Sequence, residues 1–142
     1  MRHVVFLVGR DRYALPLDAV REVVVAPERY TRVPHAGASV KGVMTLRGRV
    51  VPVVHLERLL VPTLTTPAPT SGGKVILLEL ARRDLGLLVT EVEGIEPIED
   101  VERAPHPHSR LVRGLTRVKD HPATVLDLQG LDATIATAFT TA

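Results

Sequence analysis

Short runs of hydrophobic, mostly β-branched residues alternate with polar turns along the chain, a pattern typical of β-rich proteins. The clearest case is residues 42–56, GVMTLRGRVVPVVHL, in which the apolar runs Val43–Leu46 and Val50–Val54 flank Arg47-Gly48. This pattern predicts a β-hairpin, because Gly48 can supply the positive φ that a tight turn needs. Pro52 has no N–H to donate, so we expect its strand to meet an edge, a bulge or a barrel corner there.

The remaining apolar runs predict the other elements. Further strands are predicted at Val4–Val8, Tyr13–Leu17 and Arg21–Val25, helical turns at Asp18–Val20 and Ala38–Lys41, and short helices at Glu57–Val61 and from Leu128 onward, the last ending in a frayed tail. Residues 62–73, PTLTTPAPTSGG, contain three prolines and two glycines, which predicts a surface loop or linker.

The chain contains an internal repeat. Sliding the chain along itself until Gly42 falls on Gly114 places residues 40–59 over residues 112–131 without a gap, with Val40 on Val112 and Leu56 on Leu128. Apolar positions coincide along most of this repeat alignment, which predicts two similar β-rich lobes within a single domain. We place the first lobe at approximately 1–61 and the second at approximately 74–142. Each lobe has the size of a small five-stranded barrel, and we expect the two to pack together through apolar surface.

Composition narrows the class of protein. The chain has 45% hydrophobic residues but no Trp and no Cys, so Val, Leu and Ile must build the core, and disulfides and thiolate metal sites are excluded. A formal charge of +2 and only two Phe and two Tyr argue against nucleic-acid binding. The sequence shows no signal peptide and no apolar run near the length of a membrane span. We therefore expect a cytoplasmic protein with no membrane insertion.

Signatures of catalysis are missing from the sequence. It has no Walker-type or dinucleotide glycine loop and no Gly-x-Ser-x-Gly elbow, and Ser39, Ser71 and Ser109 lie in no recognisable nucleophile setting. His106 and His108 flank a proline, but a zinc site needs three or four converging ligands. We expect no enzyme activity, no metal and no cofactor.

The hairpin sequence resembles the signature of CheW-like domains, the adaptor fold of bacterial chemosensory systems. The matching positions are Gly42, Val43, Leu46, Arg47, Gly48, Pro52 and Leu56, whereas Thr45 stands where the family usually has Asn and His55 where it has Asp. Phe6–Val24 resembles the family's opening strand, hairpin and Pro-Leu-x-x-Val-x-Glu segment, so the resemblance covers essentially the whole chain.

The resemblance implies an all-β fold of two five-stranded, SH3-like β-barrel lobes with a shared hydrophobic interface. It also implies a non-catalytic adaptor that couples chemoreceptors to a CheA-like histidine kinase. One surface would dock the regulatory domain of the kinase, and the groove between the lobes would take the cytoplasmic tip of a methyl-accepting receptor. The alternative is an interaction module of a pilus or gene-regulating chemosensory pathway with a different partner.

The resemblance also implies which residues contact partners. Arg47 and Glu22 match residues tied to partner binding, and a bidentate pair between them would hold a docking surface; the alternative is that both are solvated surface charges. Lys41, Met44, Thr45 and Gly48 flank this surface, although a methionine such as Met44 is more often a core residue than a contact residue. Candidates for the groove or interface, with core packing as the alternative, are Val20, Val23, Gly42, Leu87 and Val89. In the second lobe Asp127 occupies the position of His55, which we expect to be the poorer helix N-cap.

Overall fold

The computed structural model describes residues 1–61, 72–103 and 110–140. Most of the predicted linker lies outside these ranges, as do Ser71, His106, His108 and Ser109. The strands are β1 (Arg2–Val8), β2 (Asp11–Pro16), β3 (Val20–Val25), β4 (Val40–Leu46), β5 (Arg49–His55), β6 (Lys74–Leu80), β7 (Arg83–Val89), β8 (Glu91–Pro97), β9 (Val112–Val118) and β10 (His121–Leu126). The helices are α1 (Leu56–Leu60) and α2 (Leu128–Thr140), and a 3-10 turn spans Leu17–Ala19.

The strands form two five-stranded sheets. Sheet A has the order β8-β1-β2-β10-β9, and sheet B has the order β3-β6-β7-β5-β4. The repeat alignment places β1–β5 over β6–β10, and it converts the strand order of sheet A into that of sheet B. The predicted all-β, two-lobed fold and the internal duplication are therefore confirmed.

The division of the chain between the lobes differs from the prediction. Sheet A takes β1 and β2 from the first half and β8, β9 and β10 from the second, whereas sheet B takes the complementary set. The chain crosses between sheets at the 3-10 turn Leu17–Ala19 and again at Thr90. The boundaries 1–61 and 74–142 are thus wrong as lobe boundaries, because hydrophobic periodicity defines a strand but not the sheet that it joins.

A shared hydrophobic core lies between the two sheets and is closed by both helices. It combines Val4, Phe6, Val8 and Leu15 of sheet A, Ile76, Leu78, Leu85, Leu87 and Val89 of sheet B, and Leu56, Leu59, Leu131 and Ile135 of the helices. Each sheet also has a smaller hydrophobic cluster on the face that points away from the shared core. This cluster lies around Val5 and Val125 in sheet A and around Val53 and Val75 in sheet B. The predicted apolar interface between the lobes is confirmed.

Two local predictions need correction. Val40 and Lys41 begin β4 and are not part of a helical turn. Helix α2 runs for 13 residues, longer than the predicted short helix, and the last two residues of the predicted tail lie outside the described residues. Thr is a poor helix former, but Leu131 and Ile135 lie one turn apart on the face that packs into the shared core. Tertiary packing therefore outweighs the weak helix propensity.

Pro52 occupies the position that its missing N–H requires. It pairs with Val43 of β4, while the parallel pairing of β5 with β7 begins only at Val53. On the β7 side, Pro52 is locally at an edge, as predicted.

Gly42 allows the loop that contains Thr31 to pass close to β4. Thr31 and Val43 exchange two backbone hydrogen bonds of 2.8 Å, and a Cβ on Gly42 would lie 2.6 Å from the carbonyl oxygen of Thr31. The same arrangement recurs at Gly114, where Glu102 and Leu115 exchange the two hydrogen bonds. The glycine that the family signature places before the hairpin is thus required by close backbone approach.

Candidate functional site

The turn between β4 and β5 presents Arg47 to solvent. Arg47 and Gly48 have φ values of 51° and 78°, so both central residues of this two-residue turn are left-handed, as in a type I′ turn. Positive φ at Gly48 confirms the prediction, whereas positive φ at Arg47 is uncommon for a residue with a side chain. The Arg47 side chain is 68% exposed.

Arg47 and Glu22 form the bidentate pair that the resemblance implies. Arg47 Nη1 donates to Glu22 Oε1 and Nη2 donates to Oε2, each at 2.6 Å. The hydrogen bonds from Arg47 lower the pKa of Glu22 below its usual value, and the same hydrogen bonds raise the pKa of Arg47. Both groups therefore stay charged at neutral pH. Sequence spacing does not indicate this contact, because Glu22 lies on β3 and Arg47 lies on the β4–β5 turn.

This pair links the two edge strands of sheet B. Glu22 belongs to β3 and Arg47 to the hairpin that contains β4, and these are the first and last strands of the sheet order. In sheet A, Lys119 of the β9–β10 turn contacts Glu96 of the opposite edge strand at 3.0 Å. Each sheet thus has a cationic hairpin tip held against its opposite edge strand, which orients the tip.

A cavity of about 300 Å³ opens beside the pair, with Leu46, Val51 and Leu77 among the residues that line it. Its rim carries a second set of ion pairs. Arg21 contacts Asp84 at 3.1 Å and Glu79 at 3.2 Å, and Arg49 contacts Asp84 as well. Sequence reasoning missed Arg21, Arg49, Glu79 and Asp84, because they come together only through the sheet order.

The structure divides the predicted site residues into two groups. Thr45, Gly48 and Val23 are exposed beside Glu22 and Arg47 on the same sheet, and Val20 is half-buried where the chain enters β3. Lys41 is half-buried, and its Nζ lies 5.6 Å from the centre of the Tyr30 ring.

The second group is in the core. Leu87 and Val89 belong to the shared core between the sheets, Met44 packs inside sheet B, and Gly42 is buried beneath Thr31. Core packing, which was the alternative for Leu87, Val89 and Met44, is the arrangement in the structure. The cause is visible in β7, where Leu85–Val89 is buried on both faces, so that strand alternation gives no outward-facing set.

Two strongly exposed valines, Val25 and Val50, extend the apolar surface of sheet B and were not predicted. In β3 the exposed residues are Arg21, Val23 and Val25, which alternate with less exposed neighbours. The period-two pattern of β3 was the signal that could have identified Val25.

His55 lies beside a smaller cavity of about 150 Å³, at the place where Thr90 connects the sheets. His55 is buried, and its Nδ1 accepts a hydrogen bond from the Arg58 N–H at 3.4 Å, so it caps α1. Burial lowers the pKa of this imidazole. His55 is therefore a structural residue and not part of the exposed surface.

Neither a metal centre nor a membrane span is found in the part of the chain that the structure describes. No three His, Asp or Glu side chains in residues 1–61, 72–103 and 110–140 converge as metal ligands. Within the same ranges, no helix is both long and apolar enough to cross a bilayer.

Comparisons with known proteins place this arrangement in context. The chain is similar to the chemotaxis protein CheW of Rhizobium meliloti (strain 1021), with 34% identity over 104 residues, which cover 73% of this chain and 65% of that protein. It is 26% identical over 137 residues to the chemotaxis protein CheW of Treponema pallidum (strain Nichols), covering 90% of this chain and 79% of that protein.

A solved structure supports the fold. The crystal structure of the scaffolding protein TtCheW from Thermoanaerobacter tengcongensis matches with a TM-score of 0.78 and 25% identity, covering 89% of this chain and 88% of that chain. The family model described as "CheW-like domain" matches residues 2–134. The chain therefore belongs to the family of CheW-like domains.

Proposed function

We propose that this chain is a non-catalytic chemosensory adaptor that couples chemoreceptors to a CheA-like histidine kinase. In this proposal it acts in the cytoplasm and uses two surfaces. One surface, around the β4–β5 turn of sheet B, docks the regulatory domain of the kinase. The groove between the lobes, near Val20 and Val23, takes the helical cytoplasmic tip of a receptor.

The observation that carries the proposal is the family match over residues 2–134. The names of the similar proteins support it, since they are a scaffolding protein and chemotaxis proteins. The chain contains no kinase or receiver segment in the matched range, so an adaptor of this kind acts by association. Holding two partners at once raises their effective concentration for each other. A receptor that changes the preferred geometry of the complex then shifts the population of kinase states.

Local geometry supports the choice of surface. Two charge-assisted hydrogen bonds fix the guanidinium of Arg47 against Glu22, so the turn is pre-organised and loses little conformational entropy on docking. Leu46, Val51 and Leu77 line the cavity beside the pair, so apolar surface borders its polar groups. An arginine among apolar residues is typical of the residues that dominate binding energy at protein interfaces.

The test is a binding titration with two purified partners, the kinase regulatory domain and a receptor cytoplasmic fragment from the same source organism. Arg47→Asn is the informative variant, because Asn tolerates positive φ, so the substitution removes the guanidinium without straining the turn. We expect wild-type protein to bind both partners and Arg47→Asn to bind at least one of them roughly tenfold more weakly.

Arg82 offers a matched control. It is also an exposed arginine with positive φ, 64°, in a hairpin turn that belongs to sheet B. Arg82→Asn should leave both affinities unchanged. Wild-type protein that binds neither partner would overturn the proposed function. Equal affinities for wild-type and Arg47→Asn protein would overturn the placement of the surface and retain the adaptor.

A further inference from the structure

A cavity of about 440 Å³ lies between the two helices. Helix α1 follows β5 of sheet B and helix α2 follows β10 of sheet A, so the walls of the cavity come from both lobes. Its volume falls in the range of pockets that bind small molecules, and such pockets occur preferentially between structural units. The side chains that give it its chemistry are Ser39, Arg58, Leu59, Arg110, Thr134 and Thr137.

Two arginines give this cavity a cationic character. Arg58 belongs to α1, and Arg110 lies just before β9. Arg110 is exposed and forms no ion pair with an Asp or Glu in the part of the chain that the structure describes. The described residues that line the cavity include no carboxylate. Guanidinium groups bind phosphate and carboxylate oxygens through parallel hydrogen bonds, so an arginine from each lobe favours an anion here.

The internal repeat does not account for either arginine. The repeat alignment carries Arg110 to Ala38 and Arg58 to Gly130, so the two halves of the chain supply their arginines from different positions. Gly130 has a role of its own, because a Cβ there would overlap the carbonyl oxygen of Arg110. This close contact places the backbone of Arg110 against α2, beside the cavity. The presence of two arginines is therefore a feature of this cavity and not of the duplication.

The wall that α2 forms carries hydroxyl oxygens. Thr134 Oγ1 donates to the Gly130 carbonyl oxygen at 2.8 Å, and Thr137 Oγ1 donates to the Ala133 carbonyl oxygen at 3.1 Å. A hydroxyl that donates within its own helix keeps lone pairs that can accept a hydrogen bond from a ligand. Ser39, before β4, adds a third hydroxyl. The cavity thus combines groups that bind an anion with groups that accept from hydroxyl donors.

We infer that this cavity binds a small organic anion that also carries hydroxyl groups. The phosphate or carboxylate group of the ligand contacts Arg58 and Arg110, and its hydroxyl groups donate to Thr134 and Thr137. Such a ligand contacts both lobes, so its binding stabilises the native arrangement of the two sheets. This site goes beyond the proposed adaptor function and does not depend on it.

The test is a titration of the isotope-labelled chain with glycerol 3-phosphate at constant ionic strength, followed by the chemical shifts of the backbone amides. We expect saturable shifts around Ser39 and Thr134, with a Kd of about 1 mM or below. Glycerate has the same hydroxyl pattern with a carboxylate in place of the phosphate, so the ratio of the two affinities identifies the anionic group. Glycerol, which has no charge, should give no saturable shift.

Variants locate the site. Arg110→Gln should weaken binding roughly tenfold or more, and Arg58→Gln should do the same from the other lobe. Arg113→Gln is the matched control, because Arg113 is an exposed arginine of β9 that does not line the cavity; it removes the same charge and should keep the wild-type affinity. Thr134→Val should reduce the preference for glycerol 3-phosphate over n-propyl phosphate, which lacks hydroxyl groups. The amide spectrum of each variant also shows whether it keeps the fold.

Three results would contradict the inference. If neither glycerol 3-phosphate nor glycerate gives saturable shifts, the cavity is not an anion site. If Arg110→Gln and Arg58→Gln bind as the wild type does, or if Arg113→Gln weakens binding equally, the anion is attracted by the general charge of the surface and not by this cavity. An unchanged preference in Thr134→Val would overturn the role of the α2 hydroxyls.

Discussion

His55 and Asp127 occupy equivalent positions of the duplicated chain, and each caps the helix that follows it. Asp127 Oδ1 accepts a hydrogen bond from the Gly130 N–H at 2.9 Å, whereas His55 Nδ1 accepts one from the Arg58 N–H at 3.4 Å. The longer contact agrees with the expectation that histidine is the poorer cap. Because Nδ1 is the acceptor, the neutral ring of His55 must carry its proton on Nε2.

Acid should destabilise the protein through His55. Burial, with help from Arg58 and Lys41, lowers the pKa of His55 in the folded chain below the ordinary value of 6.5. Below about pH 6.5 the unfolded chain therefore binds more protons at this site than the folded chain does, so the free energy of unfolding falls as the pH falls towards the folded pKa. Protonation of Nδ1 would also abolish the cap of α1.

The measurement is urea unfolding of wild-type and His55→Asn protein between pH 7.5 and pH 5. Asn caps helices well and does not titrate in this range. The variant should lose less stability than the wild type over the interval, while all carboxylates contribute equally to both curves. Parallel curves would show that His55 does not carry the acid sensitivity.

Gly42→Ala should destabilise sheet B. Gly42 has a φ of 142°, and the added methyl group would lie 2.6 Å from the Thr31 carbonyl oxygen and 2.9 Å from Tyr30 Cβ. Backbone cannot move aside as a flexible side chain can, so we expect a loss of about 1–3 kcal/mol in the free energy of unfolding. Chemical denaturation measures this loss. Gly48→Asn is the control, because Gly48 has nothing within 4 Å of an added Cβ and Asn tolerates its φ of 78°. An equal loss of stability in Gly48→Asn would contradict the role of the Thr31 contact.

The hairpin of residues 42–56 and the repeat were predictable because both depend on local patterns and on comparison of the chain with itself. The exchange of strands between sheets was not, since β3 and β8 have equivalent positions in the repeat and their apolar pattern fits either sheet. Arg47 and Glu22 were paired through the family resemblance; their contact spans 25 residues of sequence, which spacing alone does not connect. Leu87 and Val89, predicted as candidates for the groove or interface, lie in the core between the sheets because β7 is buried on both faces. Tertiary assembly, not local pattern, determines the exchange of strands, the contact between Arg47 and Glu22, and the burial of β7.

Arg47→Lys should weaken partner binding although it preserves the charge. Lysine presents a compact ammonium group and cannot reproduce the two parallel hydrogen bonds that the guanidinium makes to Glu22. We expect an affinity between those of wild-type and Arg47→Asn protein for the partner that docks on the β4–β5 turn, measured by the same titration. Thermal unfolding should change little, because the pair is at the surface. Wild-type affinity in Arg47→Lys would mean that charge alone matters and that the bidentate geometry does not.

Gly86→Ala should reveal how tightly sheet B is packed inside. An added methyl group would lie 2.6 Å from Val75 Cγ1 and 3.2 Å from Val53 Cγ2. At the equivalent position of sheet A the residue is Ala14, which is fully buried; there, His3 occupies the place of Val75, so the neighbours differ. We expect Gly86→Ala to lower the free energy of unfolding by about 1–3 kcal/mol through overpacking.

A double-mutant cycle with Val75→Ala tests the cause of this loss. Val75→Ala alone removes buried methyl groups and should itself be destabilising. In that background the methyl group of Gly86→Ala has room, so its additional cost should shrink markedly, giving a coupling energy of about 0.5–3 kcal/mol between the two sites. Additive losses would show that the clash with Val75 is not the source of the destabilisation, and that the backbone of β7 at Gly86 resists a side chain for another reason.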